Sequence, residues 1–93
     1  MESITPDFGQ ALNWLKAGQK VAREGWNGKN MFLYYVPSNK YQATTVIGKS
    51  IADVFGNVEY GAYIAMKTAQ GNVVPWLASQ TDMLAEDWIK LNN

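Results

Sequence analysis

At 93 residues and 10.4 kDa the chain makes one domain, spanning 1–93, because domains run on the order of 100–150 residues and no length remains for a second core. A chain this short buries only about 60–65% of its unfolded surface, so it gains from association with copies of itself. The absence of cysteine and histidine excludes disulfides, thiolate or imidazole metal sites, cysteine nucleophiles and the usual neutral-pH general base, while eight basic residues against eight acidic ones leave no excess charge for duplex nucleic acid.

In chain order, Thr5-Pro6 reads as an N-cap followed by proline at the first helical position. Phe8, Ala11, Leu12 and Leu15 then share one face, which predicts a helix over 6–17 with Gly18 as its left-handed stop. Lys20 to Arg23 is a short extended piece. Gly25-Trp26-Asn27-Gly28 brackets an Asn with glycines and predicts a turn carrying Trp26. Met31 to Val36 is a continuous apolar and aromatic run closed by Pro37, which predicts a buried, central strand. Ile47, Ile51, Val54 and Phe55 line one side of a short helix over 49–55, with Gly56-Asn57 closing it. The runs 61–68 and 72–77 flank Ala69-Gln70-Gly71 and form a hairpin. Ser79-Gln80-Thr81-Asp82 matches a capping box that opens a helical turn through Ala85, and Asp87 to Leu91 alternates like an edge strand. The expected fold is α+β: an N-terminal helix packed on a small antiparallel sheet, a short C-terminal helical turn, and a homo-oligomer.

Four Trp, five Tyr and three Phe supply flat surfaces beyond the needs of a core. Trp26 has two readings. Glycine on both sides lets a ligand approach the indole face, or the ring closes the end of the first helix. Arg23 and Lys29 beside it are phosphate partners or solvated charges. The start of the last helix likewise presents free N–H groups to an anion or a ribose hydroxyl, or only closes on itself. Asp82, Glu86 and Asp87 lack a fourth ligand at metal-binding spacing, so no metal is expected. No Ser or Thr is paired with an activating Lys and no two carboxylates are set for acid–base work, so an enzyme is not expected. No apolar run of about 18 residues and no basic-then-apolar start is present, which places the expected protein in the cytoplasm and off the membrane.

Two blocks, FGQALNWLKAGQKVAREGWNGK over 8–29 and GAYIAMKTAQGNVVPWLASQTDMLAEDW over 61–88, resemble the phage Thoeris anti-defence sponge proteins of the second type, a small family formerly a domain of unknown function. The two blocks cover roughly half of the chain. The resemblance implies a protein that binds and sequesters a cyclic ADP-ribose isomer, the signal of a defence TIR enzyme, without cleaving it and without a cofactor. It implies a homotetramer with pockets between subunits, acting in the infected cell, and in some relatives a separate site for cyclic oligonucleotides. Matching ligand-binding positions are Trp26 for stacking, Asn27 and Lys29 beside it, and Ser79, Thr81 and Asp82 for ribose or phosphate. A nucleotide pocket of about 300–1,000 Å³ is hard to carve within so short a chain, so a cleft shared between protomers fits that implication. Nanomolar capture needs about −12 kcal/mol and one stacked base contributes about 1–3 kcal/mol, so polar contacts must add the rest. Two other readings stand beside this one: an enzyme hydrolysing the signal, and an inhibitor docking on a defence protein through exposed aromatics.

Overall fold

The computed structural model describes residues 6–26, 30–39, 45–55 and 59–91. Helix α1 (Phe8–Lys16) puts Ala11 and Leu15 wholly inside with Phe8 and Leu12 against the same core, as their three-and-four spacing requires. Its N-cap is Asp7, whose carboxylate accepts from the Gln10 N–H at 2.9 Å. The expected start at Thr5-Pro6 is therefore too early. Thr5 lies outside the described residues, and Pro6 sits before the cap because its carbonyl accepts from the Trp88 N–H at 3.0 Å, tying the chain to the sheet instead of to the helix. The far end stops where Gly18 was expected to stop it. Gly18 takes φ +88°, its N–H reaches the Leu15 carbonyl, and the Gln19 N–H reaches the Trp14 carbonyl, both at 2.9 Å. These are the two bonds of a Schellman motif.

The strands are β1 (Lys20–Arg23), β2 (Phe32–Val36), β3 (Tyr63–Lys67), β4 (Val73–Pro75) and β5 (Trp88–Leu91), in the order β4-β3-β2-β1-β5 with every neighbour antiparallel. The apolar run expected at the centre is the central strand β2, and the alternating C-terminal run is the edge strand β5. The hairpin of β3 and β4 turns through Gly71 at φ +100°. Its strands are shorter than the 61–68 and 72–77 expected, although one further bond, from the Trp76 N–H to the Ile64 carbonyl at 2.9 Å, continues the pairing past Pro75. Helix α2 (Val46–Phe55) starts three residues before the expected 49, since Thr45 Oγ1 accepts from the Gly48 N–H at 3.0 Å and caps it there. The side chains of Val54 and Phe55, and the Gly56-Asn57 stop, lie outside the described residues. Helix α3 (Gln80–Leu84) opens with the capping box.

Helix α1 lies across one face of the sheet, over β1, β2 and β5, and the buried residues Ala11, Leu15, Val21, Leu33 and Trp88 form the core between the two layers. Side chains alternate along a strand, so Ala22, Phe32, Tyr34, Ile89 and Leu91 point to the opposite face. No described helix packs on that face as α1 packs on the first. An antiparallel sheet with one solvated face ordinarily shows polar residues there; this one mixes aromatic and aliphatic residues with Lys20 and Lys67, and the Lys20 ammonium stands 4.8 Å from the centre of the Phe32 ring.

The molecule is long, 54 Å on its principal axis, with a radius of gyration of 16.1 Å where a compact chain of this length has about 12 Å. An isolated bridge between Asn39 and Tyr60, with both backbone hydrogen bonds made, lies beyond the β2–β3 pairing. Helix α2 packs closely on no other described element. Its Val46 and Ile47 are 86% and 74% exposed. Among the described residues no helix is long and apolar enough to cross a membrane.

Candidate functional site

Strand β1 ends at Arg23, and the chain coils into one 3-10 turn over Glu24–Trp26 before Asn30, at φ 59°, leads it back towards β2. Trp26 is half-buried at the end of that turn. Its ring meets Trp88 edge-on, 5.7 Å between centroids and 77° between planes, the T-shaped arrangement that aromatic quadrupoles favour. Trp88 is fully buried and also meets Phe8 at 5.5 Å and Trp76 at 6.0 Å. The turn indole therefore rests on an aromatic cluster, and it also lines a cleft of about 180 Å³ with Ala22, Arg23, Met31, Ile89 and Leu91. Trp26 packs against the core and walls a mostly apolar cleft.

Arg23 binds two carboxylates from far along the chain. Its Nε donates to Asp87 Oδ1 at 2.8 Å and its Nη1 to Asp82 Oδ1 at 3.0 Å. The side-chain hydrogen bond from Arg23, helped by the Gly25 N–H and opposed by burial, holds the Asp87 carboxyl below its ordinary value, and hydrogen bonds to Asp87 and then Asp82 raise Arg23 further above its own. Asp87 reaches the turn as well. Its Oδ2 accepts from the Gly25 N–H at 3.4 Å and its backbone carbonyl accepts from the Glu24 N–H at 3.0 Å.

At the start of α3, Ser79 Oγ accepts from the Asp82 N–H at 3.1 Å, while Ser79 N–H and Oγ–H donate to Asp82 Oδ2 at 3.4 and 2.9 Å. The capping box closes, with Asp82 in the place usually taken by Glu or Gln. The Asp82 carbonyl accepts from the Trp88 indole N–H at 3.0 Å. Asp82 is thus joined to the Trp26 turn in two ways, through Arg23 and through Trp88, and the segments 23–26 and 79–88 meet at one end of the sheet. Ser79 and Thr81 are exposed there. Asn27 and Lys29, the other two expected ligand contacts, lie outside the described residues, as does Gly28.

Sequence reasoning missed the Arg23 clamp. Its partners stand 59 and 64 residues away, and the only signal available was an unpaired basic residue upstream of an acidic stretch. Asp82 and Asp87 share one guanidinium. Among the described residues no group of three acidic side chains is placed to hold a metal ion. The arrangement offers a flat indole beside an apolar cleft, exposed hydroxyls at a helix start, and a cluster of carboxylates neutralised in part by Arg23. Such a surface suits an aromatic base with hydroxyl or amino donors at this end.

A family model described as the Thoeris anti-defense 2-like domain matches residues 7–91, including the segment between the two quoted sequence blocks. The chain is also 43% identical over 81 residues to the protein named Thoeris anti-defense 2 of Bacillus phage SP01, an alignment that covers 87% of this chain and 89% of that protein.

Proposed function

The chain belongs to the Thoeris anti-defense 2-like family, and on that premise we propose that it counters Thoeris defence for a phage by binding a cyclic ADP-ribose isomer and holding it intact. The observation that carries this reading is Trp26, a turn indole braced by Trp88 and facing an apolar cleft. A purine stacked on such a ring gains about 1–3 kcal/mol. Hydroxyls of Ser79 and Thr81 and the oxygens of Asp82 are the polar contacts for ribose, with Asn27 and Lys29 assigned to the ligand beside Trp26. The carboxylates favour ribose hydroxyls or base amino groups at this end over phosphate oxygens, which like charge would repel.

The proposed active form is a homo-oligomer, a tetramer, acting in the cytoplasm of the infected cell. A cleft of about 180 Å³ falls short of the roughly 300–1,000 Å³ of ligand pockets, so a second copy is needed to complete the wall. The apolar sheet face opposite α1, with Phe32, Tyr34, Ile89 and Leu91, supports such a contact. Holding without cleavage is supported by the engagement of Asp82 and Asp87 with Arg23, which disfavours either as a proton acceptor.

The test incubates the protein with a panel of cyclic ADP-ribose isomers, removes free nucleotide, denatures the protein and identifies what is released by mass spectrometry. Intact cyclic nucleotide is expected, and Trp26→Ala is expected to reduce its affinity about 5- to 150-fold without changing the oligomer. Release of a hydrolysed product would make the protein an enzyme. Inhibition that persists in nucleotide-free conditions with a co-purifying defence protein would make it a protein–protein inhibitor.

A further inference from the structure

We propose that Asp87 is a positioning residue for ligand capture, fixing the turn that carries Trp26 without touching the ligand. This rests on the reading of Trp26 as a stacking platform. Donors from three successive residues converge on Asp87: Arg23 Nε at 2.8 Å and the Gly25 N–H at 3.4 Å on its carboxylate, and the Glu24 N–H at 3.0 Å on its backbone carbonyl. They are the three residues immediately before Trp26. The residue after Asp87 is the buried Trp88, whose ring meets Trp26 edge-on at 5.7 Å. Adjacent residues at the start of β5 therefore hold the backbone and the ring of the same turn.

A single 3-10 turn has few hydrogen bonds of its own and does not nucleate alone. Its shape must come from outside, and Asp87 is the side chain that reaches it. Arg23 extends the same grip to Asp82 and the start of α3, so the stacking ring and the proposed ribose contacts move as one unit. A ring fixed before binding loses less freedom when the base lands on it.

The experiment compares wild type, Asp87→Asn, Asp87→Ala, Trp26→Ala and the Asp87→Ala/Trp26→Ala double variant. Each is titrated calorimetrically with the cyclic ADP-ribose isomer that wild type takes up most tightly, and the tryptophan indole N–H resonances are recorded. Asp87→Ala is expected to weaken binding about tenfold in the wild-type background and to change nothing further once Trp26 is absent. Asp87→Asn keeps the volume but presents an amide N–H to one of the donors, and it carries the same comparison if the alanine variant does not fold. The Trp26 indole resonance is expected to shift in both, while that of Trp14 stays. Unchanged affinity, or an equal loss with and without Trp26, would overturn the proposal. If wild type binds no isomer, the function proposed above fails, and an unmoved Trp26 resonance in Asp87→Asn then separately overturns the positioning role.

Discussion

Asp82 meets its partners through separate atoms. Oδ2 completes the capping box with Ser79, Oδ1 accepts from Arg23, and the backbone carbonyl accepts from the Trp88 indole. Asp87 does the same for the opposite end of the guanidinium. A consequence at this scale is a pH dependence of stability. Because Arg23 holds the Asp87 carboxyl below its ordinary value of 3.8, the stabilisation it contributes is fully present above that value. It is lost as pH falls through the lower folded-state value. The stability difference between wild type and Asp87→Asn, measured by urea unfolding, is therefore expected to be constant from pH 7 to about pH 5 and to shrink below pH 3.8. A difference that instead grows on acidification would contradict the ion-pair account.

Helix α1 depends on both of its ends. The Asp7 cap satisfies the Gln10 N–H, and Gly18 turns the chain into β1 so that Val21 lands under Leu15. A Cβ at Gly18 would meet nothing within 4 Å, so a substitution there is resisted by backbone conformation alone. Gly18→Ala is expected to cost about 1–2 kcal/mol in thermal or chemical unfolding, the strain of a left-handed residue with a side chain. Equal stability would mean that the helix can end otherwise. Helix α3 is only one turn and a half, and its place is fixed by what it caps and contacts. The Trp88 indole bonds to its first turn, and Arg23 ties it to β1.

For the whole molecule, one sheet face is covered by α1 and the other carries Phe32, Tyr34, Ile89 and Leu91, while α2 stands clear with Val46 and Ile47 exposed. A monomer with 54 Å of length and two apolar surfaces in water gains by burying them against another copy. Tyr34 is half-buried on the open face and does not line the cleft beside Trp26. On the proposed shared pocket, Tyr34→Lys is expected to give monomers in sedimentation velocity and to weaken nucleotide capture in parallel. A wild type that sediments as a monomer while binding tightly would defeat the shared-pocket reading.

Features settled by neighbours in the chain could be read directly from the amino acids. The face of α1, its glycine stop, the apolar strand β2, the Gly71 hairpin and the Ser79 capping box all follow from periodicity or turn chemistry within a few residues. The family, too, was readable from the two quoted blocks, through the residues around Trp26 and those from Val74 to Trp88. Contacts between distant segments were not readable. Thr5 and Asp7 are both good caps as residues, and the choice fell to Asp7 because the Pro6 carbonyl bonds to Trp88 in β5. Arg23 carries no spacing that announces Asp82 and Asp87, and Trp88 looks like any aromatic on an edge strand until three other rings close around it. Local hydrogen bonds and helical or strand periods repeat at fixed intervals and leave a pattern in the chain. An ion pair or a ring cluster built across a sheet is set by strand order and register, which exist only once the chain has folded.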